Sequence, residues 1–403
     1  MTDWPRKPLG EVLECLIDHR GKTVKKLGGD FQDSGIRVIS AKNIQGSRID
    51  DRNLRYVSKE IFQKWMPNQL RRGDVLLTSE APLGEIAYLD ADLEACLGQR
   101  LFALRANPEV LDGRYLYYSL SWGPSRDEIL SRATGTTVVG IRQAELVKVG
   151  IVLPPLFEQR AVAEMLGGLD DKIESNRRVV NVGVMLARAL VSQGKSLVRL
   201  GDIASIQNGL SYMGSGLEGS AEDGLPMINL ANFSTSGWMV PSGVKYYSGD
   251  FKPKHQVEAG DVVVANTDLT QQRIILGRAA LVPPHLAGAL FTHHVCAIRL
   301  LDSTAELMKI SIWGQLNSSR FRERAEGFAT GTTVAGLPID ALLDFEVSIP
   351  NEQDAQAAQL VLDQVWSAEA EIVSLVSMRD VLLPELLSGR LRVDEATDLV
   401  GSL

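Results

Sequence analysis

"ATGTTVVGI" occupies residues 133–141 and "ATGTTVAGL" residues 329–337, with seven of nine letters identical at an offset of 196 in a chain of 403. A polar loop written twice, half a chain apart, makes internal duplication the first idea to test. Other segments recur in the same order. "PLGEV" (8–12) pairs with "RLGDI" (199–203), and "GIRVISAKNIQ" (35–45) with "GLPMINLANFS" (224–234). "RRGDVLLTS" (71–79) pairs with "EAGDVVVAN" (258–266), and "PLGEIA" (82–87) with "ILGRAA" (275–280). After the loop, "VGIVLPPLFEQ" (149–159) pairs with "FEVSIPNEQ" (345–353). Anchors matched in fixed order identify one globular unit present twice.

The anchors have a physical reading. Gly-Asp followed by three apolar residues is a turn feeding a buried strand, the glycine serving the turn and the β-branched residues the strand. "VISAKNI" and "MINLANF" alternate as strands and end at Asn, while "GIVLPP" and "EVSIP" are short strands stopped by Pro. Each unit is therefore a mixed α/β globule. Between the anchors the copies differ almost everywhere, so one scaffold carries two surfaces.

A helical stretch follows each globule. From Glu158 to about Lys195 there is no Pro, and Val162, Leu166, Leu169, Ile173, Val180, Ala187 and Leu190, with Asn176 and Gly183 between them, alternate by four and three. That spacing is a heptad seam. Val361, Val365, Ala368, Ile372, Leu375, Arg379, Leu382 and Leu386 form a second seam, disturbed at Pro384. Two seams in one chain pack most simply on each other and antiparallel, which relates the globules by a pseudo-twofold axis; the alternative is that each helix packs only on its own globule. Asn176 on the seam is a candidate for fixing helix register, against an ordinary solvent-facing Asn.

Composition narrows the function. The chain is 45% hydrophobic and 23% charged, as expected of a soluble protein, and no apolar run reaches the roughly 20 residues that span a bilayer. The N-terminus lacks a signal-peptide pattern, and Cys15, Cys96 and Cys296 are odd in number and far apart. These features point to the cytoplasm and away from a membrane. Net charge is −8, running from +2 in residues 1–150 to −7 in residues 351–403, so any nucleic-acid contact must rest on local basic clusters or a basic partner. Catalytic patterns are missing. "RGKT" (20–23) and "QGKS" (193–196) lack the upstream glycine of a phosphate loop, Leu16 and Ala189 standing there instead. His293 and His294 fall in a strand-like pattern that sends their rings to opposite faces, so no metal site is expected.

"LPPLFEQRAVAEMLGGLDDKIESNRR" (153–178) resembles the central helical region of type I restriction-modification specificity subunits, and "LLPELLSGRLRV" (382–393) resembles the end of that family's second helical region. The two "TGTTV" loops look like the close of its target recognition domains. The resemblance covers essentially the whole chain and implies a target recognition domain over 1–153, a helical spacer over 154–196, a second recognition domain over 197–350 and a second helical region over 351–403. The implied fold is mixed α/β: two pseudo-twofold-related recognition domains separated by two long antiparallel coiled-coil helices. Each domain would read one half of a split, asymmetric site in double-stranded DNA. The helices would set the spacer and dock two adenine methyltransferase subunits, and a restriction/translocase subunit would join them. The family implies no cofactor in this chain; S-adenosylmethionine, ATP and magnesium would belong to the partners. The rival reading is a bilobed scaffold, an orphan or anti-restriction protein that binds methyltransferase subunits without reading DNA, favoured by the acidic second half.

Candidate DNA contacts follow from residue type. Lys22, Lys25 and Lys26 form the densest basic run, and Lys42, Arg48, Arg52 and Arg55 follow the strand "RVIS"; these suit phosphates, against a solvated basic face. Thr136, Thr137 and Arg142 lie in or beside the first loop, Thr332 and Thr333 in the second. Asn229, Asn232 and Asn266 end matched strands, and Asn suits adenine, although Asn is also a turn former. Lys252, Lys254 and Arg273 are the cations of the second unit, and Arg320, Arg322 and Arg324 lie on a helix before its loop, placed for backbone contact or solvation.

Overall fold

The computed structural model describes residues 4–401 apart from 193, 195, 271, 303–306 and 332–333. The chain divides into two compact units, Met1–Ile173 with Ser374–Leu403, and Glu174–Val373. In the first unit an antiparallel sheet has the strand order Leu13–Asp18, Leu101–Ala106, Val75–Thr78, Ile86–Tyr88. Strand side chains alternate between faces. Val75, Leu77, Phe102 and Leu104 therefore face one core, with helix Gly113–Ser121, while Leu76, Leu101 and Ala103 face a second core built on Val38, Ile39 and Trp65. A three-stranded sheet beside it runs Arg55–Val57, Ile36–Ile39, Ala95–Leu97, its last pair parallel.

The second unit repeats this order. Its main sheet runs Ala204–Asn208, Val295–Leu300, Val262–Ala265, Ala279–Leu281. Val262 and Val264 face a core containing Trp313, and Val263 and Ala265 face the other. Here too one pair in the neighbouring sheet, Leu225–Ile228 with Leu290–Phe291, is parallel.

Gly-Asp begins the central strand of each unit, for two reasons. Gly73 and Gly260 sit at φ +92° and +79°, where a side chain is strained. Asp74 and Asp261 are 1% and 3% exposed, and each meets an arginine from the adjacent strand. Arg105 grips Asp74 through two bonds of 2.7 and 2.8 Å and donates to the Gln69 carbonyl at 2.8 Å. Arg299 repeats the pattern with Asp261 and the Gln256 carbonyl, and Lys309 adds a second cation 3.0 Å from Asp261.

The long helices span Leu156–Val191 and Glu352–Leu387, 36 residues each, so the first starts two residues before Glu158 and ends short of Lys195. Pro384 does not stop the second helix, because Leu382, Leu386 and Leu387 on either side are buried in the core of the first unit. In that unit Arg379 donates to Asp170 at 2.9 Å and, past the end of the second helix, Arg392 bonds Glu158 near the start of the first, so the helices run antiparallel. In the second unit Asn176 donates to Glu371 at 2.7 Å, and a Cβ on Gly183 would sit 2.4 Å from Val365 Cγ2, again antiparallel. Asn176 is 4% exposed on this seam, which makes its amide a directional contact in an apolar stripe. Farther along, the Trp238 indole donates to Glu369 at 2.6 Å, and burial raises the Glu369 carboxyl above its ordinary range.

Two predictions follow. Removing one partner of a buried ion pair strands the other, at about 3–5 kcal/mol. Arg105→Ala is therefore expected to destabilise its unit by that order in denaturant unfolding, and Arg299→Ala by less, because Lys309 still faces Asp261. Glu369 binds its proton more tightly folded than unfolded, so its stabilising effect is complete below the ordinary glutamate pKa and is lost as pH rises through the raised value. Unfolding followed across that window should show stability falling with pH in the natural chain, and a flatter profile in Glu369→Gln, which keeps the acceptor for Trp238.

Candidate nucleic-acid interface

The repeated loop is a closed turn. Thr134 and Gly140 exchange backbone hydrogen bonds of 2.9 and 3.0 Å, and Thr330 and Gly336 exchange bonds of 3.0 and 2.8 Å. Inside each, the glycine has positive φ, and a Cβ on Gly135 or Gly331 would lie 2.2 or 2.3 Å from a carbonyl oxygen. The loop is then fastened to the end of the central strand: Ile141 N–H donates to Ser79 O at 2.9 Å, and Leu337 N–H to Asn266 O at 2.8 Å. Identity between the copies thus reflects backbone demand. Thr136, Thr137, Val138 and Val139 project into solvent at its tip.

Beside this loop the first unit opens a cleft of about 1060 Å³, lined by Lys42, Gln45, Arg52, Asn53, Arg55, Gln99 and Arg100 among others. Arg52 chelates Asp50, Arg100 Nε meets Glu80 at 2.9 Å, and Arg55 lies 4.1 Å over the Phe31 ring. The hydrogen bonds from Arg52 hold the Asp50 carboxyl below its usual value. On the far side of Arg100, burial tends to raise the Asp18 carboxyl, but hydrogen bonds and charge from Arg20 prevail and lower it. Among the described residues, five non-glycines have left-handed backbone: Ser47, Asn53, Ala81, Arg100 and Arg273. Asn53, Ala81 and Arg100 line the cleft and Ser47 lies between lining residues Gln45 and Asp50. Such conformations cost about 1–3 kcal/mol each and persist where the surroundings enforce them, often at binding sites.

The matching place in the second unit has different chemistry. His294 Nδ1 lies 2.8 Å from Thr267 Oγ1, and the His293 and His294 rings are 3.9 Å apart. They sit in the turn before strand Val295–Leu300, not within it, which is why the rings approach each other rather than facing opposite ways as the sequence pattern suggested. Tyr212 lies 6.3 Å from His293 and accepts from Lys245 at 2.8 Å. Burial, then the charges of His293 and Lys245, lower the His294 pKa. Among the described residues no group of three or more His, Cys, Asp or Glu is placed to hold a metal, and no helix is long and apolar enough to cross a membrane.

Residues 1–181 match the family described as the type I restriction modification DNA specificity domain. Over this stretch the chain is similar to type I restriction enzyme specificity subunits. The MjaVIII specificity subunit of Methanocaldococcus jannaschii is 28% identical over 181 residues, covering 44% of this chain and 41% of that protein. The matched stretch thus spans about two fifths of that relative. The MjaIX specificity subunit of the same organism is 20% identical over 98% of this chain and 94% of its own length. The crystal structure of the type I S subunit from M. genitalium shares the fold, with TM-score 0.61 and 14% identity over 95% of this chain and 96% of that one.

Within this fold the candidate residues separate sharply. Lys42 lines the cleft; Arg48 is exposed on the short hairpin Ile44–Ile49 beside it. Lys25, Arg142, Lys252 and Lys254 are exposed elsewhere. Thr332 and Thr333 fall outside the described residues. Several other candidates have polar groups engaged within the chain. Lys22 donates to the carbonyls of Lys64 and Trp65 at 3.3 and 2.8 Å, capping a helix C-terminus, and Lys26 donates to Gly21 O at 3.0 Å. Asn232 is fully buried: its Oδ1 accepts from Asn229 N–H at 2.9 Å and its Nδ2 donates to Val240 O at 2.9 Å. Asn229 is 9% exposed and bonds Ala231 N–H and Gly243 O, so both amides close a turn. Asn266 is half-buried against His293 O. Arg273 donates to Gly331 O at 3.2 Å and so braces the loop. Arg320, Arg322 and Arg324 bond the carbonyls of Glu346, Leu276 and Ala341, which makes them architectural. Sequence reasoning missed Gln99 and Arg100, although "GQRLFALR" (98–105) aligns with "THHVCAIR" (292–299) once the strands are matched.

Lys22 and Lys42 should therefore part company on substitution. Lys22→Met is expected to lower the melting temperature by roughly 2–4 °C, for a loss of about 1 kcal/mol. Lys42→Met should leave melting unchanged and, if the cleft holds phosphates, reduce the slope of log affinity against log salt by about one.

Proposed function

We propose that this chain is the DNA-reading subunit of a type I restriction-modification complex, each unit reading one half of a bipartite, asymmetric target. It performs no chemistry itself. Methylation and cleavage belong to adenine methyltransferase and restriction subunits that use S-adenosylmethionine, ATP and magnesium, and the paired helices set the spacer and offer docking surface in the cytoplasm. The match of residues 1–181 to the type I DNA specificity domain supports the class of function. The observation that carries two-part reading is a duplicated scaffold whose equivalent places hold different polar groups: arginines, Lys42 and amides in one unit, histidines with Tyr212 and Lys245 in the other. Cations suit phosphates, and Arg, Gln and His can hydrogen-bond base edges. The acidic second half favours the rival scaffold without DNA reading, so the test must separate the two.

The test is co-expression with a cognate adenine methyltransferase, followed by sequencing of methylated adenines. One split motif that appears only when this chain is present is the expected result. Methyltransferase binding without any such motif would select the scaffold instead.

A further inference from the structure

Resting on the proposed DNA-reading role, we propose that Gln99-Arg100 in the first unit and His293-His294 in the second are equivalent specificity-determining pairs, the residues that read base edges at the same place on each copy of the scaffold.

Equivalence comes from backbone hydrogen bonding rather than from letter similarity. Ser79 N–H donates to Arg100 O at 2.9 Å, and Asn266 N–H donates to His294 O at 3.1 Å. One residue later, Leu101 and Val295 begin the strands that pair with Val75–Thr78 and Val262–Ala265. One residue before, Gly98 N–H donates to Ile39 O at 2.6 Å, and Thr292 N–H to Ile228 O at 2.9 Å. The pair is thus pinned on both sides by matched framework. Its neighbours along the strand are the same or similar in both copies: Ala103 and Ala297, Leu104 and Ile298, Arg105 and Arg299. At the pair itself nothing is shared.

The side chains are also held in equivalent ways. The residue after Ser79, Glu80, bonds Arg100 at 2.9 Å; the residue after Asn266, Thr267, bonds His294 at 2.8 Å. Each of these partners also abuts the repeated loop, Glu80 bridging Gly140 and Thr267 bridging Gly336. An orienting group, a reading group and a shared loop therefore recur together with the reading group changed. Gln99 and Arg100 are both exposed and border two clefts at once, and Arg100 is held at φ +66°. The Gln99 amide makes no hydrogen bond among the described residues, and His294 Nε2 likewise has none there. Gln suits adenine and Arg suits guanine in the major groove. An imidazole that bonds Thr267 through Nδ1 has its other nitrogen left for a base edge.

The experiment exchanges the pairs in the full chain together with its methyltransferase: His293→Gln with His294→Arg, and Gln99→His with Arg100→His. His293→Gln alone, at an exposed position, is the milder variant, and melting curves check that each chain folds. Methylated-motif sequencing is combined with affinities for duplexes substituted at one base pair at a time. The expected result is that each exchange alters preference at one or two positions of a single half-site, by roughly 5- to 150-fold, and leaves the other half-site unchanged. An unaltered motif in folded variants overturns the inference while leaving DNA reading intact. An equal loss of affinity at every substituted duplex also overturns it, since that is the mark of a phosphate contact. Absence of any motif with the natural chain defeats the underlying reading instead.

Discussion

A buried carboxylate gripped by an arginine from the next strand governs what each unit can present. Asp74, paired with Arg105, and Asp261, paired with Arg299 and Lys309, are buried carboxylates, so a slip of one residue would leave a carboxylate unpaired in the interior. Such a slip would also turn every strand side chain to the wrong core. Register is thereby set at one end of the strand pair. Five residues on, the same register delivers Ser79 opposite Arg100 and Asn266 opposite His294. The ion pair never touches the candidate site, yet it decides which residues arrive there.

The rest of each unit spends its polar groups on holding that end still. The loop turns on a glycine that no side chain could replace, and it is tied to the strand end by a backbone bond. Arg322 and Arg324 cap nearby carbonyls, and Asn232 closes the turn after a neighbouring strand. These basic and amide side chains serve as struts. The left-handed residues around the first cleft fit this division, since strained backbone stays in place only against a rigid surround.

Much of the architecture was legible in the letters. The duplication, the Gly-Asp strand starts and the two helical seams are repeat and periodicity signals, and these survive because core packing imposes them along the whole element. Helix ends are less legible in the letters, and the second helix runs through Pro384, where the seam is disturbed, because the leucines around it are buried. The site was mostly illegible. Lys22, Asn229, Asn232 and Arg320 have the composition of DNA contacts, but their hydrogen-bonding groups are engaged by distant carbonyls and amides. His293 and His294 were misread because a turn placed directly before a strand carries no alternating signal of its own.

The sequence by itself determined a twice-written α/β scaffold and two long helices, because duplication and hydrophobic spacing are properties of residue order. Tertiary structure alone decided which polar side chains remain available, because that depends on partners far away in the chain, such as Glu128 for Arg6 or Trp65 for Lys22. It also decided that Gln99-Arg100 and His293-His294 occupy one place, because their equivalence lies in backbone hydrogen bonds, and four dissimilar letters hold no trace of it.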